Sequence, residues 1–274
     1  MIIISGGFPH IADEIKELLL SAPLVKTERW QGVKANQETR ELRNVVFEVD
    51  LRGEEDITHW VKQITPNLPW ADNHFLERVG GHPINPGKEW ANWPFISPSA
   101  FKENNKYNHN YMERLWPKYA KRTDTGELPI KNKSDLRAYP DGDKRPRFGI
   151  NAFYGDLEDL VRLLIKEPYS RQAYIPLFFP EDTGIGDGGR KPCTLGYQFL
   201  VRSGKLHLWY PLRSCDYLHH WRDDCYLAIK LMLWVLEQCR KVNPEFWDEI
   251  KPGTFSMHCT SLHVFESKIE ELRK

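Results

Sequence analysis

Along the 274 residues the hydrophobic positions change period several times, and each change predicts an element. In HIADEIKELLLS the apolar residues return at helical spacing, which predicts an amphipathic helix. RNVVFEVDL is rich in β-branched residues and runs into a polar turn, which predicts a strand. GDLEDLVRLLIKEP has helical spacing again, with acids in its first turn and a lysine near its end, the order that the helix dipole favours. TLGYQFLVR and KLHLWYPL flank Ser203 and Gly204 and read as a β-hairpin. CYLAIKLMLWVLEQC is apolar on most faces, so this helix is expected to be central and buried. PGTFSMHCTSLHVFE alternates well enough for a final strand. This order of elements predicts an α+β fold, a sheet with a few helices, one of them buried.

Two stretches interrupt the pattern. LPWADNHFLERVGGHPINPGKEWANWPFISPSAF is dense in proline, glycine and tryptophan and reads as loop, and loops this aromatic usually cover something. From Lys118 to Arg147 the chain is charged and poor in aliphatics, which predicts a surface insertion, about 118–147, in a single domain spanning 1–274. Thirty-eight basic residues balance thirty-eight acidic ones, so no overall field draws the chain to nucleic acid or a membrane. An anionic partner must therefore be met by a local site. The longest apolar run, around Leu231 to Leu236, falls far short of the ~20 residues of a membrane span, and MIIISGG is too short and uncharged for a signal peptide. A cytoplasmic protein with no membrane or direct nucleic-acid partner is expected. Five cysteines without a CxxC pair argue against a disulfide framework and against structural zinc.

Several residues carry candidate chemistry. Cys193 follows RKP at the predicted start of a strand, Arg213 lies twenty positions on, and His263 sits near the end of the last strand. Singly, each has a plainer role: an inert buried thiol, a surface ion pair, a structural histidine. The glycines of GIGDGGRKP lack the lysine and serine of a P-loop. His219, His220, Asp223 and Asp224 could suggest a metal, but adjacent histidines on a turn rarely converge on one ion, and no metal is expected.

Taken together, and in this order, PC, YQFLVRSGKL, RSCD, a helix, PGTF and SLHVF resemble the thymidylate synthase superfamily. The resemblance covers Ser170 to Phe265, with weaker echoes upstream in EPYSRQ, YMERLW and WANW. It implies a large mixed sheet around a buried central helix, a homodimer through the sheet, and a pyrimidine nucleoside monophosphate and 5,10-methylenetetrahydrofolate as substrates.

By this resemblance Cys193 matches the nucleophile that adds to C6 of the pyrimidine. Arg213 and Ser214 match phosphate ligands, with Arg213 also placed to favour the thiolate. Arg171 matches an arginine that reaches the phosphate of the partner subunit. Gln172 stands where a second such arginine is usual, leaving Lys34, Arg40 and Arg43 as candidates to complete the site. Asp216 matches the aspartate that bonds the pterin, Trp90 and Trp93 the tryptophans lining the folate, and His263 the histidine beside the sugar. Phe265 replaces a tyrosine that contacts the sugar, so ribose and deoxyribose both stay open. Glu77 matches the glutamate that orders water and moves protons, and Tyr111 the tyrosine that assists loss of the C5 proton.

Asp224 stands where synthases carry the asparagine that reads uracil. A carboxyl group accepts from the cytosine amino group and, when protonated, donates to N3. WRDDCY is similar to the phage deoxycytidylate hydroxymethylases, which carry aspartate here and, like Thr194, a threonine after the nucleophile. Asp223 is expected to cap the helix while Asp224 faces the base. The chain runs only nine residues past Phe265, so the long tail that excludes water in synthases is expected to be missing, which favours hydration over hydride transfer. Methylation of dCMP or dUMP, and a non-catalytic nucleotide-binding relative, remain alternatives.

Overall fold

A computed structural model describes residues 1–30, 33–92, 102–103, 106–107, 109–117, 155–183 and 191–274. The expected insertion at 118–147 and most of the glycine-rich loop before Cys193 lie outside the described residues. Strand β1 (Ile2–Ser5) and helix α1 (Phe8–Ser21) lead into an antiparallel pair, β2 (Leu24–Trp30) and the long β3 (Val33–Asp50). Helices α2 (Ile57–Ile64), α3 (Trp70–Val79) and α4 (Lys88–Ala91) follow, then short β4 (Lys102–Glu103) and β5 (Lys106–Tyr107), and α5 (Tyr111–Leu115). The second half runs α6 (Leu157–Lys166), β6 (Tyr174–Pro176), β7 (Gly196–Arg202), β8 (Lys205–Leu212) and β9 (Cys215–Asp216). It continues with α7 (Trp221–Val242), α8 (Pro244–Trp247), β10 (Lys251–Phe265) and α9 (Ile269–Arg273).

Eight strands form one mixed sheet in the order β1-β3-β10-β8-β7-β6, with β2 on β3 and β9 on β10. The predicted hairpin is β7–β8, closed by Ser203 and Gly204 at φ 51° and 70°, the left-handed pair that a two-residue turn needs. A shift of register in β10 between Pro252 and Phe255 sits at Gly253, where a Cβ would come within 2.8 Å of the His207 ring. Only glycine lets the two strands approach so closely there.

The core lies between one sheet face and the helices. Phe8 of α1, Phe47 of β3, Trp221 of α7 and Phe255 of β10 are fully buried, with ring centroids 5.6–6.3 Å apart in mostly tilted or edge-on pairs. Helix α7 buries Trp221, Cys225, Tyr226, Leu227, Ala228 and Ile229 in succession, so nearly all its faces are covered, as the lack of a polar stripe predicts. Helix α6 begins with a reciprocal capping box between Asp156 and Asp159. The other sheet face carries half-exposed Gln198, Leu200, His207 and Ser256 around Trp209, which is 39% exposed.

Three sequence expectations need correction. The tryptophan-rich segment read as loop contains α3, with Trp70, His74, Phe75 and Arg78 buried along it. Its flanking prolines and glycines hid a helical repeat. Cys193 does not begin a strand: Thr194 makes a single bridge to Leu212, and β7 starts at Gly196. Asp223 does not cap α7, whose N-cap is His220. Its carboxylate instead accepts from the backbone N and the side-chain Nδ2 of Asn67, both at 2.8 Å.

Candidate active site

Where β8 ends, Arg213 turns the chain away and the Cys193 segment is fastened to it. Arg213 N donates to the Cys193 carbonyl at 2.9 Å, and Leu195 N to Pro211 O at 2.9 Å. The Arg213 side chain donates from Nε to Pro192 O at 2.8 Å and from Nη2 to Lys191 O at 2.9 Å. One arginine thus ties down the residues just before Cys193 while its Nη1 makes no hydrogen bond among the described residues, and half-buried Ser214 follows it. Cys193 itself is partly buried.

Tyr111, at the first turn of α5, closes over the same segment. Its hydroxyl accepts from Thr194 N at 3.4 Å, and its ring lies 4.6 Å below the Arg78 guanidinium. Burial raises the phenol, and the neighbouring Cys193 and Asp224 raise it further. Tyr111 is therefore a neutral phenol near pH 7 and works by hydrogen bonding, not as a phenolate.

Asp224 sits on the first turn of α7, at the floor of this arrangement. Cys215 Sγ lies 3.8 Å from its Oδ2, and the Tyr210 hydroxyl is near enough to favour its carboxylate form. Tyr210 in turn shares a 2.9 Å hydrogen bond with Thr194 Oγ1 and stacks on Tyr197, centroids 4.6 Å apart. Burial pushes the Asp224 carboxyl up to about 7, helped by the Asp223 charge and opposed by the Arg78 cation and by the Tyr210 and Cys215 donors. The side chain keeps some accessible surface. Asp224 is thus balanced between acid and carboxylate near neutrality.

Glu77, on α3, accepts from Glu89 N at 3.0 Å and faces His74 Nδ1 across 3.7 Å. Its burial would raise it, but the N–H groups of Glu89 and Lys88 together with His74 hold it below the ordinary glutamate range. No direct contact joins Glu77 to Cys193 or Asp224 among the described residues; the link passes through the next residue, Arg78. Arg78, His74, Tyr210 and Cys215 are site residues that the sequence reading missed.

No protein-family model matches the sequence, and no curated protein matches it. Among solved structures, thermostable thymidylate synthase A from Bacillus subtilis is similar, with a TM-score of 0.60 over 97% of this chain and 82% of that chain at 16% sequence identity. The chain has the thymidylate synthase fold. The expected α+β architecture, a large mixed sheet with a buried central helix, is therefore correct.

On the thymidylate synthase fold the remaining expected residues fall into two groups. Asp216 and His263 face each other across the β9–β10 pair, and the Arg213 charge reaches His263. Burial holds His263 below the usual histidine range, so the ring is neutral near pH 7. Asp216 accepts from Leu218 N at 3.1 Å, His219 N at 3.3 Å and His219 Nδ1 at 2.8 Å. A carboxylate has about four acceptor positions, so this one retains about one for a ligand N–H. Arg171 is exposed ahead of β6 and its guanidinium meets nothing among the described residues. The Trp90 side chain and all of Trp93 lie outside the described residues, as does the Lys34 side chain. Arg40 is no free phosphate ligand: it is bound to Glu266 at 2.7 and 3.2 Å and to Leu20 O at 2.8 Å. Arg43 remains exposed.

Among the described residues no group of His, Cys, Asp and Glu could hold a metal ion. No described helix is long and apolar enough to cross a membrane.

Proposed function

We propose that this chain is a folate-dependent C5 hydroxymethyltransferase that converts dCMP, or CMP, to the 5-hydroxymethyl nucleotide. The carrying observation is Asp224: a carboxyl group held near neutrality, braced by Tyr210 and Cys215, close to Tyr111 and the Cys193 segment. As an acid it donates to cytosine N3, and its other oxygen accepts from the N4 amino group. Negative charge that accumulates on N3 after attack at C6 is then met by a donor already in place.

Cys193 adds through sulfur to C6 and so raises electron density at C5, which an unaided aromatic pyrimidine lacks. C5 takes the one-carbon unit from 5,10-methylenetetrahydrofolate, and loss of the C5 proton then expels tetrahydrofolate and leaves an exocyclic methylene. Tyr111 receives the hydrogen bond of a water that carries off the C5 proton. Glu77, ionised, orders the water that adds to the exocyclic carbon, and Cys193 leaves as the thiolate. Arg213, through Nη1, and Ser214 hold the phosphate, His263 adjoins the sugar, and the remaining acceptor on Asp216 suits a pterin N–H. Arg171, exposed and without a partner among the described residues, suits a phosphate bound by a second copy of the chain, and the half-exposed face around Trp209 offers the contact surface for a homodimer.

The test is tritium release from 5-labelled dCMP, CMP and dUMP with methylenetetrahydrofolate, followed by the mass of the product. Cytidylate is expected to outrun uridylate and to gain a hydroxymethyl group, and Cys193→Ala is expected to lose at least about a thousandfold in turnover. A methylated product or a preference for uridylate would overturn the assignment, and so would a fully active Cys193→Ala.

A further inference from the structure

Next to Glu77 a buried histidine and a buried arginine form an arrangement that the steps above leave unused. His74 is 1% exposed and lies flat on Trp70, ring centroids 5.0 Å apart at 18°. Its Nε2 accepts from Arg78 Nε at 2.9 Å. A neutral imidazole that accepts at Nε2 must carry its proton on Nδ1. Nδ1 is the atom that faces Glu77 Oε2 at 3.7 Å, a few tenths of an ångström beyond a hydrogen bond. The other carboxylate oxygen is held by Glu89 N at 3.0 Å, and Gly87 packs so close that a Cβ there would fall 2.5 Å from Oε2. Arg78 is anchored in turn by its place over the Tyr111 ring and by Trp116 Nε1, which donates to its carbonyl at 2.8 Å.

We propose that Arg78 and His74 are positioning residues: Arg78 fixes the tautomer of His74, and His74 aims its Nδ1 proton at Glu77, holding the carboxylate ready to order water. This rests on the role given to Glu77 above. The relay also ties two elements together, since Arg78 joins Glu77 on α3 to Tyr111 on α5. Burial and the Arg78 cation push His74 down to about 4, so the ring stays neutral and serves as a fixed donor. The titratable group facing Glu77 is the neutral His74, with the Arg78 cation behind it on the same helix; the 88–89 turn supplies backbone N–H groups, and Tyr111, Asp223 and Asp224 lie around Arg78.

Two measurements on the full chain test the relay. In kinetics, His74→Phe keeps a ring on Trp70 and is expected to lower kcat about tenfold or more, with KM for nucleotide and folate nearly unchanged. His74→Asn, whose amide occupies the Nδ1 position, is expected to recover part of that loss, and His74→Gln, which reaches the Nε2 position, to recover none. In ¹⁵N NMR of histidine-labelled protein, the signal that His74→Phe removes is expected to be a neutral Nδ1–H tautomer from about pH 5 to 8, and Arg78→Met is expected to release it to the other tautomer or to titration. A His74 that titrates like a free histidine, or carries its proton on Nε2, overturns the relay, as does His74→Phe with full kcat. Glu77→Gln with full turnover overturns the role of Glu77 instead, and the tautomer then decides the relay by itself, as it does if no nucleotide is turned over.

Discussion

Asp224→Asn isolates the group on which the proposed base preference depends. Burial raises this carboxyl from 3.8 to about 7, which corresponds to about 4 kcal/mol. That is an upper bound, because the side chain keeps some accessible surface. The folded state binds the proton more tightly than the unfolded chain, so the contribution is fully present below pH 3.8 and is lost as pH rises through about 7. Asparagine accepts from Cys215 and Tyr210 as the carboxyl does but never ionises. The variant is therefore expected to melt at the same temperature as the parent near pH 4 and higher at pH 8, by at most roughly 8–16 °C if each kcal/mol moves Tm by about 2–4 °C. The difference between the two proteins cancels Asp223 and Glu113, which burial also raises. In activity, kcat/KM for cytidylate is expected to fall about tenfold per pH unit above pH 7 in the parent, and Asp224→Asn to lose that limb and to favour uridylate. Equal melting temperatures at pH 8, together with an unchanged base preference, would refute the reasoning.

Tyr210→Phe removes a donor that holds Asp224 down, so the alkaline limit on cytidylate turnover is expected to move up by about one pH unit, as a pH profile of kcat/KM would register. Arg114→Met breaks the bonds to Asp182 at 2.6 and 2.8 Å and to Leu177 O at 2.7 Å, leaving a half-buried carboxylate that keeps the Phe179 N–H at 2.7 Å but loses its counter-charge. About 3–5 kcal/mol of stability is expected to go, measured by urea unfolding. Gly253→Ala drives a methyl toward the His207 ring and is expected to cost about 1–3 kcal/mol, visible in the same unfolding assay without loss of KM for nucleotide.

Local rules of sequence were enough for the β7–β8 hairpin, where Ser203 and Gly204 supply the turn, and for α7, where the absence of a polar face announces burial. Cys193, Arg213 and Asp224 drew attention through their order along the chain. The partners that tune Asp224 did not, because Tyr210 and Cys215 read as an ordinary strand tyrosine and a small apolar residue until the fold sets them beside a carboxyl. His74, Glu77 and Arg78 stand at the i, i+3, i+4 spacing of one helix face, a usable signal. It was masked because Pro69, Gly80 and Gly81 made the segment look like loop. Asp223 misled for another reason: tandem aspartates at a helix start suggest capping, but its true partner, Asn67, lies 156 positions away. No local rule reaches that far.

Strand β10 pairs with β3 from Thr254↔Asp50 to Phe265↔Thr39 and with β8 on its other edge. A ribosome delivers β3 some two hundred residues before the strand that completes it. Through that interval β3, backed by β1 and β2, offers a long open row of amide and carbonyl groups, the kind of edge on which nascent chains stick to one another. The middle of the sheet closes last, so maturation of this protein should depend on shielding one strand during synthesis more than on any later rearrangement.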